Sequence, residues 1–471
     1  MLFQSFEFLV FLTFVFGLYW FILKRHMQAQ NLLILAASYF FYGWWDWRFL
    51  GLIVFSTLID FVVGLKITAA SNQQSKKAWL GLSLLVNLGL LGYFKYANFF
   101  IESWIDAWSY LGISSNVSSL NVILPVGISF YTFQTLSYSI DVYRGDIKPT
   151  RNLINFAAFV SFFPQLVAGP IERASKLLVQ LENKRIFKYE EGVAGLRLIL
   201  LGLFKKVVIA DTCALHVNDI FANYADYSGP TLMLGAIYFG FQLYGDFSGY
   251  SDIAIGTAKL FGIQLMTNFK MPYFARDHGE FWRRWHISMG AWFRDYLYIP
   301  LGGSRGGKWM SIRNVMIIFL VSGLWHGANW TFIAWGAIQG ALFLPLLLAG
   351  KNRRHTSDNI GEGRWLPTGR EVLQMTTTFA LGTIPRIFFR SDDIQDANSY
   401  IIGMFHDLKF PDMHRTPIPY IFALLLVDWF LLKKFKIESA FLRYLIYGFA
   451  ALLILVHSTI NPAPTFIYFE F

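Results

Sequence analysis

A histidine inside a long apolar stretch is the side chain of this sequence that is best placed to do chemistry. His326 lies in a segment without Lys, Arg, Asp or Glu between Asn314 and Gly350. A titratable ring at membrane depth is costly unless it has a partner, a cavity or a catalytic role. On a helix, Ser322 and Gly323 lie one turn earlier and leave room beside the ring. A hydrogen-bonded structural histidine and a catalytic histidine both remain open on this segment alone.

A second histidine, His286, lies in a basic and aromatic segment that runs from Asn268 to Lys308. Taken as one continuous helix from about Asp277, this segment turns His286 towards aromatic side chains and the arginines towards other faces. One interpretation is an interfacial helix with a basic rim for lipid. The other is a site for the phosphates of a cytosolic acyl donor such as coenzyme A, since arginine suits bidentate phosphate binding. Under the second interpretation the donor would be held by Arg283, Arg284 and Arg305.

The composition is typical of a polytopic membrane protein. Of the 471 residues, 55% are hydrophobic and 15% are charged, and the mean hydropathy is +0.43, which no soluble domain of this size carries. The net charge is +10. The charged residues flank apolar stretches, so they indicate membrane topology and attraction to anionic lipid, not binding to nucleic acid. A single cysteine, Cys213, excludes an internal disulfide and a cysteine-based metal cluster. We therefore expect no metal site.

The apolar runs predict an all-α chain with roughly ten to twelve transmembrane helices. We expect one integral-membrane domain over residues 1–471, with re-entrant and interfacial helices and a retained first span instead of a cleaved signal peptide. A short run at 153–168 has basic residues on both flanks, which predicts a re-entrant segment. The stretch 315–350 is long enough for a hairpin that breaks near His326–Asn329. The remaining predicted spans lie near 8–23, 31–45, 49–69, 78–100, 120–140, 192–212, 229–258, 371–390, 416–433 and 441–459.

The charges between these runs predict the orientation of the chain. The positive-inside rule puts the basic loops in the cytoplasm, including a polar loop at 351–370, and the acidic or neutral loops outside. Both termini would then lie outside. The remaining seven histidines lie near loops or helix ends, where we expect them to be solvated or interfacial: His26, His216, His278, His355, His406, His414 and His457.

A polar cluster at 242–252 interrupts one of the predicted spans. It contains Asp246 and Asp252 with several hydroxyl groups, and carboxylates at that depth need partners or a cavity. An internal network that orients helices is one interpretation. The other is that Asp246 polarises a histidine or lines a path for the acceptor. The segment at 124–131, with Pro125 and Gly127, is expected to kink a span near the same cavity.

Several strings of the sequence match a known family. The chain resembles the membrane-bound O-acyltransferases, and within them the bacterial alginate O-acetylase group. The resemblance covers nearly the whole chain, and its most specific parts are the histidine-containing strings at 280–288 and 323–329. The matching strings are 92–100 (GYFKYANFF), 124–130 (LPVGISF), 141–145 (DVYRG), 169–170 (GP), 246–250 (DFSGY), 268–273 (NFKMPY), 280–288 (EFWRRWHIS), 293–303, 323–329 (GLWHGAN) and 466–471 (FIYFEF).

The resemblance implies a fold in which helices surround a central channel, with His326 as the catalytic histidine and His286 as the second one. It implies transfer of an acetyl group from acetyl-CoA or another acyl thioester, with no tightly bound cofactor. The acceptor would be an extracytoplasmic polysaccharide such as alginate, reached through a partner protein outside the bacterial cytoplasmic membrane. Residues expected to line or support the channel are Asp246, Ser288, Asn329, Trp325 and Trp285.

Two rival functions remain open. The acceptor could differ, as in teichoic-acid D-alanylation or the acylation of a lipid or a protein, because fold does not determine acceptor. A transporter or channel would also suit broken spans that carry buried charges, although no inverted repeat is visible. The chain departs from the family pattern at Pro385-Arg386 and at Glu470, and neither position is expected to touch the chemistry.

Overall fold

A computed structural model describes residues 1–113, 118–120, 122–357, 360–361, 363–409, 414–460 and 466–467. These residues are helical and include no strand, so the predicted all-α class is confirmed. The chain forms two compact units, one of Met1–Arg197 with Ala254–Met266 and one of Leu198–Ile253 with Thr267–Phe471. The expectation of a single functional domain stays a prediction. The predicted string at 466–471 and the predicted loop at 351–370 lie partly outside the described residues, and Glu470 lies wholly outside them.

The first unit is built from apolar helices. Two of them continue into π-helical turns, at Leu18–Ile22 and Gly92–Tyr96. Its helices are α1 (Phe6–Gly17), α2 (Met27–Asp46), α3 (Leu50–Ala69), α4 (Gln73–Leu91), α5 (Ala97–Tyr110), α6 (Ile128–Arg144), α7 (Leu153–Ser161), α8 (Ala174–Leu181) and the first part of α9 (Tyr189–Leu203).

A buried carboxylate joins three helices of this unit. Asp60 of α3 accepts hydrogen bonds from Ser83 Oγ (2.5 Å) and Asn87 Nδ2 (2.8 Å) of α4. It also accepts one from Ser139 Oγ of α6 at 2.8 Å. A buried carboxylate must be satisfied in this way to be tolerated, and the three donors fix how α3, α4 and α6 pack together.

The second unit contains the long helices that carry the candidate site. A π-helical turn at Phe204–Ala210 follows α9, and another at Arg294–Tyr298 follows α13. Its helices, after the end of α9, are α10 (Asp211–Ala222), α11 (Gly229–Leu260, whose last residues belong to the first unit), α12 (His278–Arg284), α13 (Ile287–Phe293), α14 (Gly307–His326), α15 (Trp330–Leu348), α16 (Gly369–Arg390), α17 (Ile394–Gly403), α18 (Pro417–Leu432) and α19 (Ala440–Ile460).

Four helical stretches among the described residues are long and apolar enough to cross a membrane. Shorter apolar helices lie at Phe6–Ile22 and Pro417–Leu432. The class of polytopic membrane protein follows from these stretches, whereas the number of crossings stays a prediction. The four stretches are Met27–Ala69, Gln73–Tyr110, Trp330–Leu348 and Ala440–Thr459.

One predicted span differs from the observed helices. The run at 120–140 does not form a kinked span, because α6 begins only at Ile128, after Gly127 in the left-handed region (φ +76°). A Cβ on Gly127 would lie 2.9 Å from the carbonyl oxygen of Leu166, so both the backbone conformation and the close contact require glycine. The run at 153–168, predicted as a re-entrant segment and not as a span, forms the nine-residue helix α7, which is too short to cross a bilayer. Its return to the same side of the membrane stays a prediction.

Candidate active site

The position of His326 is set by the end of a helix. It is the last residue of α14, and Gly327 continues in extended backbone (φ −157°, ψ 150°). Asn329 then begins α15, because its side-chain oxygen accepts the N–H of Thr331 at 2.9 Å. Asn329 Nδ2 also donates to the carbonyl oxygen of Asp392 at 3.0 Å. The predicted break of the hairpin near His326–Asn329 is confirmed.

Glycines let the two arms of this hairpin approach closely. A Cβ on Gly323 would lie 2.3 Å from the carbonyl oxygen of Phe332, and a Cβ on Gly336 would lie 2.3 Å from that of Phe319. Small residues at helix contacts allow such an approach in membrane proteins. The contacts hold the end of α14 firmly against α15, and His326 with it.

The His326 ring is buried among aromatic side chains. The residue is 4% exposed. Its ring centroid lies 4.9 Å from that of Trp325, 5.0 Å from Trp335 and 5.3 Å from Phe389, and all three contacts are edge-on. Helices α14, α15 and α16 therefore each supply part of an aromatic wall around a titratable group.

His286 does not lie within a continuous helix, and that prediction was wrong. Helix α12 ends at Arg284, Trp285 is extended, and His286 adopts the left-handed conformation (φ +44°) before α13. The segment pairs instead with Asn268–Lys270. The N–H of Lys270 donates to the Arg284 carbonyl oxygen and the N–H of Ile287 to that of Asn268, both at 2.9 Å. These bonds replace helical ones, so the face assignment from helical spacing fails.

His286 is completely buried without a polar partner. It is 0% exposed, and neither ring nitrogen makes a hydrogen bond to a described residue. Its ring meets Phe247 edge-on at 4.7 Å between centroids. The flanking helices have seven residues each, so His286 lies outside any spanning helix. Burial lowers the pKa of the imidazole to about 3, because the cation would lose its hydration. The ring is therefore neutral, and strained backbone of this kind is frequent at functional sites.

One tryptophan connects the two histidines. The Trp325 ring centroid lies 4.9 Å from that of His326 and 5.9 Å from that of His286. The fold therefore brings the two predicted histidines and the predicted Trp325 together, although they are far apart in sequence. Their roles stay predictions.

Two further predicted residues, Trp285 and Ser288, hold the turn that carries His286. Trp285 is buried and packs edge-on against Phe269 at 5.0 Å between centroids. Ser288 Oγ donates to Asn268 Oδ1 at 2.6 Å, and Asn268 Nδ2 donates to Ser251 Oγ of α11 at 3.2 Å. These contacts tie the strained turn to α11.

The three arginines predicted to bind phosphate are not gathered at one place. Arg284 is buried, and its guanidinium donates to Glu280 (2.8 Å) and to the Lys270 carbonyl oxygen (3.0 Å). Arg283 donates to the carbonyl oxygens of Asn352 (2.7 Å) and His355 (2.9 Å). Arg305 is exposed. The contacts of the first two arginines favour a structural role for them.

Asp246 takes part in a buried ionic network. Lys206 Nζ lies 2.8 Å from Asp246 Oδ1 and 2.8 Å from Asp211 Oδ1. Asp246 Oδ2 also accepts the N–H of Ile467 at 2.8 Å. Charges at this depth are tolerated when they are paired, and these contacts are those expected of a network that orients helices.

The sequence interpretation overlooked two adjacent lysines. Lys205 and Lys206 lie in the π-helical turn Phe204–Ala210, and both are 5% exposed. Lys205 Nζ lies 2.9 Å from Asp252 Oδ2 and 4.0 Å from Asp428 Oδ1. The sequence did contain a signal for them, a Lys-Lys pair inside the apolar run at 192–212. Two lysines in such a run require buried acidic partners.

Two more buried residues lie near the site. His278 is buried, not solvated as expected, and its Nε2 lies 2.7 Å from Gln339 Oε1 of α15. Arg386 was expected not to touch the chemistry, which stays a prediction. Its guanidinium is buried and lies over the rings of Tyr273 (5.2 Å) and Phe281 (5.7 Å). Both rings pack against Trp285, so Arg386 belongs to the surroundings of the site.

A cavity of about 250 Å³ lies near the site, and neither histidine is among the described residues that line it. Ser322, one helical turn before His326, is part of its wall, and so is Trp282. The Trp282 ring packs on Trp335, which in turn packs on His326. Most of the lining is apolar, with Arg294 and Arg353 as its cationic members. An apolar cleft with a few polar groups is the usual form of a small-molecule site.

The chain is similar to several known proteins. Residues 147–359, which include both histidines, match the model of the membrane-bound O-acyltransferase family. The chain is 42% identical over 424 residues to a probable alginate O-acetylase of Pseudomonas syringae pv. tomato, covering 89% of this chain and 78% of that protein. It is 47% identical over 342 residues to a probable alginate O-acetylase of Azotobacter vinelandii, covering 72% and 67%. It is 34% identical over 414 residues to a peptidoglycan O-acetyltransferase of Helicobacter pylori, covering 82% and 76%. With this identity and coverage, the chain belongs to the membrane-bound O-acyltransferase family and is an O-acyltransferase.

Proposed function

We propose that this membrane O-acyltransferase moves an acetyl group from a cytosolic thioester, acetyl-CoA, towards the O-acetylation of an extracytoplasmic polysaccharide such as alginate. The observation that carries the proposal is the pair of buried histidines that meet at Trp325. The names of the relatives from Pseudomonas and Azotobacter support the choice of acetyl group and of acceptor. A location in the bacterial cytoplasmic membrane belongs to the same proposal, because thioesters are cytosolic and the polymer is outside.

In the proposed reaction His326 is the general base. It takes the proton of the acceptor hydroxyl while the oxygen attacks the thioester carbonyl carbon. The carbon–sulfur bond then breaks, and the proton passes from His326 to the departing thiolate. His286 is neutral, and its ring nitrogens are free of hydrogen bonds to described residues. Its N–H group is therefore available to the carbonyl oxygen, on which negative charge develops.

The cavity lined by Trp282 and Ser322 would receive the donor, and its cationic side chains, Arg294 and Arg353, mark the expected side of entry. Arg294 and Arg353 would meet the phosphates of the donor, and Arg305 would assist them from the exposed loop. The apolar wall that includes Trp282 and Ser322 would take the acyl arm towards His326. Handover to an acetylating partner protein outside the membrane would complete the path to the polymer.

The test of this mechanism is acetyl transfer by purified variants. We expect His326→Ala to lose acetyl transfer by at least about a hundredfold, as is usual when a general base is removed, while it elutes as a folded protein in size-exclusion chromatography. His286→Phe should also lose activity. His406→Ala, which changes an exposed histidine, serves as the matched control. Retained polymer acetylation in cells that carry His326→Ala would reject the assignment.

A second acceptor is supported by one specific observation, the resemblance to the peptidoglycan O-acetyltransferase. Mass spectrometry of exopolysaccharide and peptidoglycan, from cells with and without this protein, separates the two. We expect acetyl groups to be lost from the exopolysaccharide while peptidoglycan is unchanged. Loss from peptidoglycan alone would assign that acceptor. Loss from neither would redirect the search to D-alanylation, to a lipid or to a protein.

A further inference from the structure

A basic pocket in the first unit has no part in the proposed reaction. It has a volume of about 300 Å³ and lies between the end of α8, the start of α9 and residues 259–264. Four cationic side chains and one carboxylate, Glu191, line it. The carboxylate pairs with Lys259. The other three cations of the lining are Lys184, Arg185 and Lys188.

The central feature of the pocket is a buried arginine in its wall. Arg185 is 5% exposed. Its Nη2 donates to Asn31 Oδ1 at 2.6 Å, and its guanidinium lies 5.6 Å from the centre of the Tyr19 ring. Nε and Nη1 are closed off from solvent, so a ligand in the pocket meets this arginine through its charge and not through a hydrogen bond. A buried positive charge at the wall favours an anion in the pocket.

The surrounding contacts hold the pocket open in one shape. Asn31 Nδ2 donates to the carbonyl oxygen of Leu181 at 2.7 Å and so fixes the side chain that orients Arg185. Gln180 and Gln264 form a reciprocal pair, since Gln180 Nε2 donates to the Gln264 carbonyl oxygen (2.9 Å) and the Gln264 N–H donates to Gln180 Oε1 (2.8 Å). The site is therefore prepared before any ligand binds, which lowers the entropic cost of binding.

Large apolar side chains at the pocket distinguish a lipid from a soluble anion. Ile186 is 69% exposed, Phe187 is 44% exposed and Tyr189 is 76% exposed. Ile186 and Phe187 are also lining residues. Side chains of this kind beside clustered lysines are characteristic of the membrane interface, where acyl chains would cover them.

We propose that the pocket around Arg185 binds the headgroup phosphate of an anionic phospholipid. The phosphate oxygens accept from the exposed ammonium groups of Lys184 and Lys188, and the buried charge of Arg185 adds to the potential that favours an anionic over a zwitterionic lipid. The acyl chains lie against Ile186, Phe187 and Tyr189. The site is separate from the proposed acetyl transfer, because neither histidine belongs to it.

Native mass spectrometry of the full chain in detergent tests this proposal. The purified protein is titrated with phosphatidylglycerol, with phosphatidylcholine, and with phosphatidylglycerol in the presence of millimolar inorganic phosphate. We expect phosphatidylglycerol to bind more tightly than phosphatidylcholine and to remain bound in the presence of phosphate. Displacement by inorganic phosphate would overturn the lipid assignment in favour of a soluble anion.

Two variants and one control test whether phosphatidylglycerol binds at this pocket. Arg185→Gln removes the buried charge, and the double variant Lys184→Ala/Lys188→Ala removes the two lysines without touching the core. Each should weaken phosphatidylglycerol binding by about tenfold. Lys76→Ala/Lys77→Ala removes two lysines of α4 that lie outside the pocket and should bind like the wild type. If Arg185→Gln fails to fold, the double variant decides, and wild-type affinity in it rejects the site.

Discussion

At the scale of single residues, His286 combines two costs that a purely structural position would avoid. Its backbone is left-handed, and its completely buried ring nitrogens lack a hydrogen bond to a described residue. Each of these costs roughly 1–3 kcal/mol. Selection for stability alone would replace such a residue. Under the proposed mechanism, the need for a neutral imidazole beside Trp325 explains why the costs are tolerated.

The low pKa of His286 makes the stability of the protein depend on pH. An unfolded histidine has a pKa near 6.5, whereas burial lowers that of His286 to about 3 in the folded chain. The contribution of this residue is therefore fully present above about pH 6.5 and is lost as the pH falls towards 3, at about 1.4 kcal/mol per pH unit. His286→Phe should show a flatter dependence of the melting temperature on pH between about 6.5 and 4.5.

The matched control for this measurement is His26→Gln, which changes an exposed histidine before α2. It should retain the pH dependence of the wild type. Parallel curves for His286→Phe and the wild type would show that folding does not lower the pKa of His286, and the argument that burial keeps its ring neutral would fail.

At the scale of elements, the hairpin of α14 and α15 decides where His326 lies. The close contact of Gly323 with the Phe332 carbonyl oxygen leaves no room for a side chain. Because main-chain atoms cannot give way as flexible side chains do, any larger residue must push the helices apart. The position of His326 therefore depends on the contact between α14 and α15 and not on α14 alone.

We predict that Gly323→Ala lowers the free energy of unfolding by about 1–3 kcal/mol, since a Cβ there overpacks the contact. It should also reduce acetyl transfer, because the end of α14 moves. Thermal unfolding in detergent and an acetyl-transfer assay measure the two effects. Gly81→Ala in α4, where a Cβ meets nothing within 4 Å, is the matched control and should be neutral or slightly stabilising. Equal stability of the two variants would contradict the packing argument.

Local signals in the sequence predicted part of this arrangement well. The start of α12 after Asp277 and the break after His326 are set by neighbours in the chain: the Asp277 side chain caps Glu280 N–H, and Gly327 ends α14. The turn at His286 could not be predicted from helical spacing, because it depends on pairing with Asn268–Lys270. Asp252 and Asp246, which pair with Lys205 and Lys206, are likewise distant in sequence, and only Asp211 is near. Periodicity therefore does not predict these two distant partners.

At the scale of the whole molecule, the charges of the loops predict how the chain is oriented in the membrane, which the helices alone do not. Basic loops are expected in the cytoplasm and acidic loops outside. The proposed direction of acetyl transfer depends on this map, because donor and acceptor occupy different compartments. The Arg185 pocket would lie on the cytoplasmic side in the same scheme, where anionic lipids attract polybasic segments.

Cysteine labelling in intact cells measures that orientation. The one native cysteine, Cys213, is buried, so the wild type should stay unlabelled by an impermeant maleimide. Asp226→Cys should react from outside. Ser357→Cys, in the polar loop at 351–370, should react only after the cells are permeabilised. The reverse pattern would invert the topology and with it the proposed direction of transfer.

The π-helical turn Phe204–Ala210 has a consequence for how this chain can change during evolution. A wide turn holds one residue more than an α-helical turn of the same rise, so a one-residue deletion there would restore regular winding. Because the wide turn takes up the extra residue locally, the helices on either side would keep their orientation. The change would fall on Lys205 and Lys206 and on how they meet Asp252, Asp211 and Asp246. The extra residue therefore sets the pairing of two buried lysines and not the course of the chain.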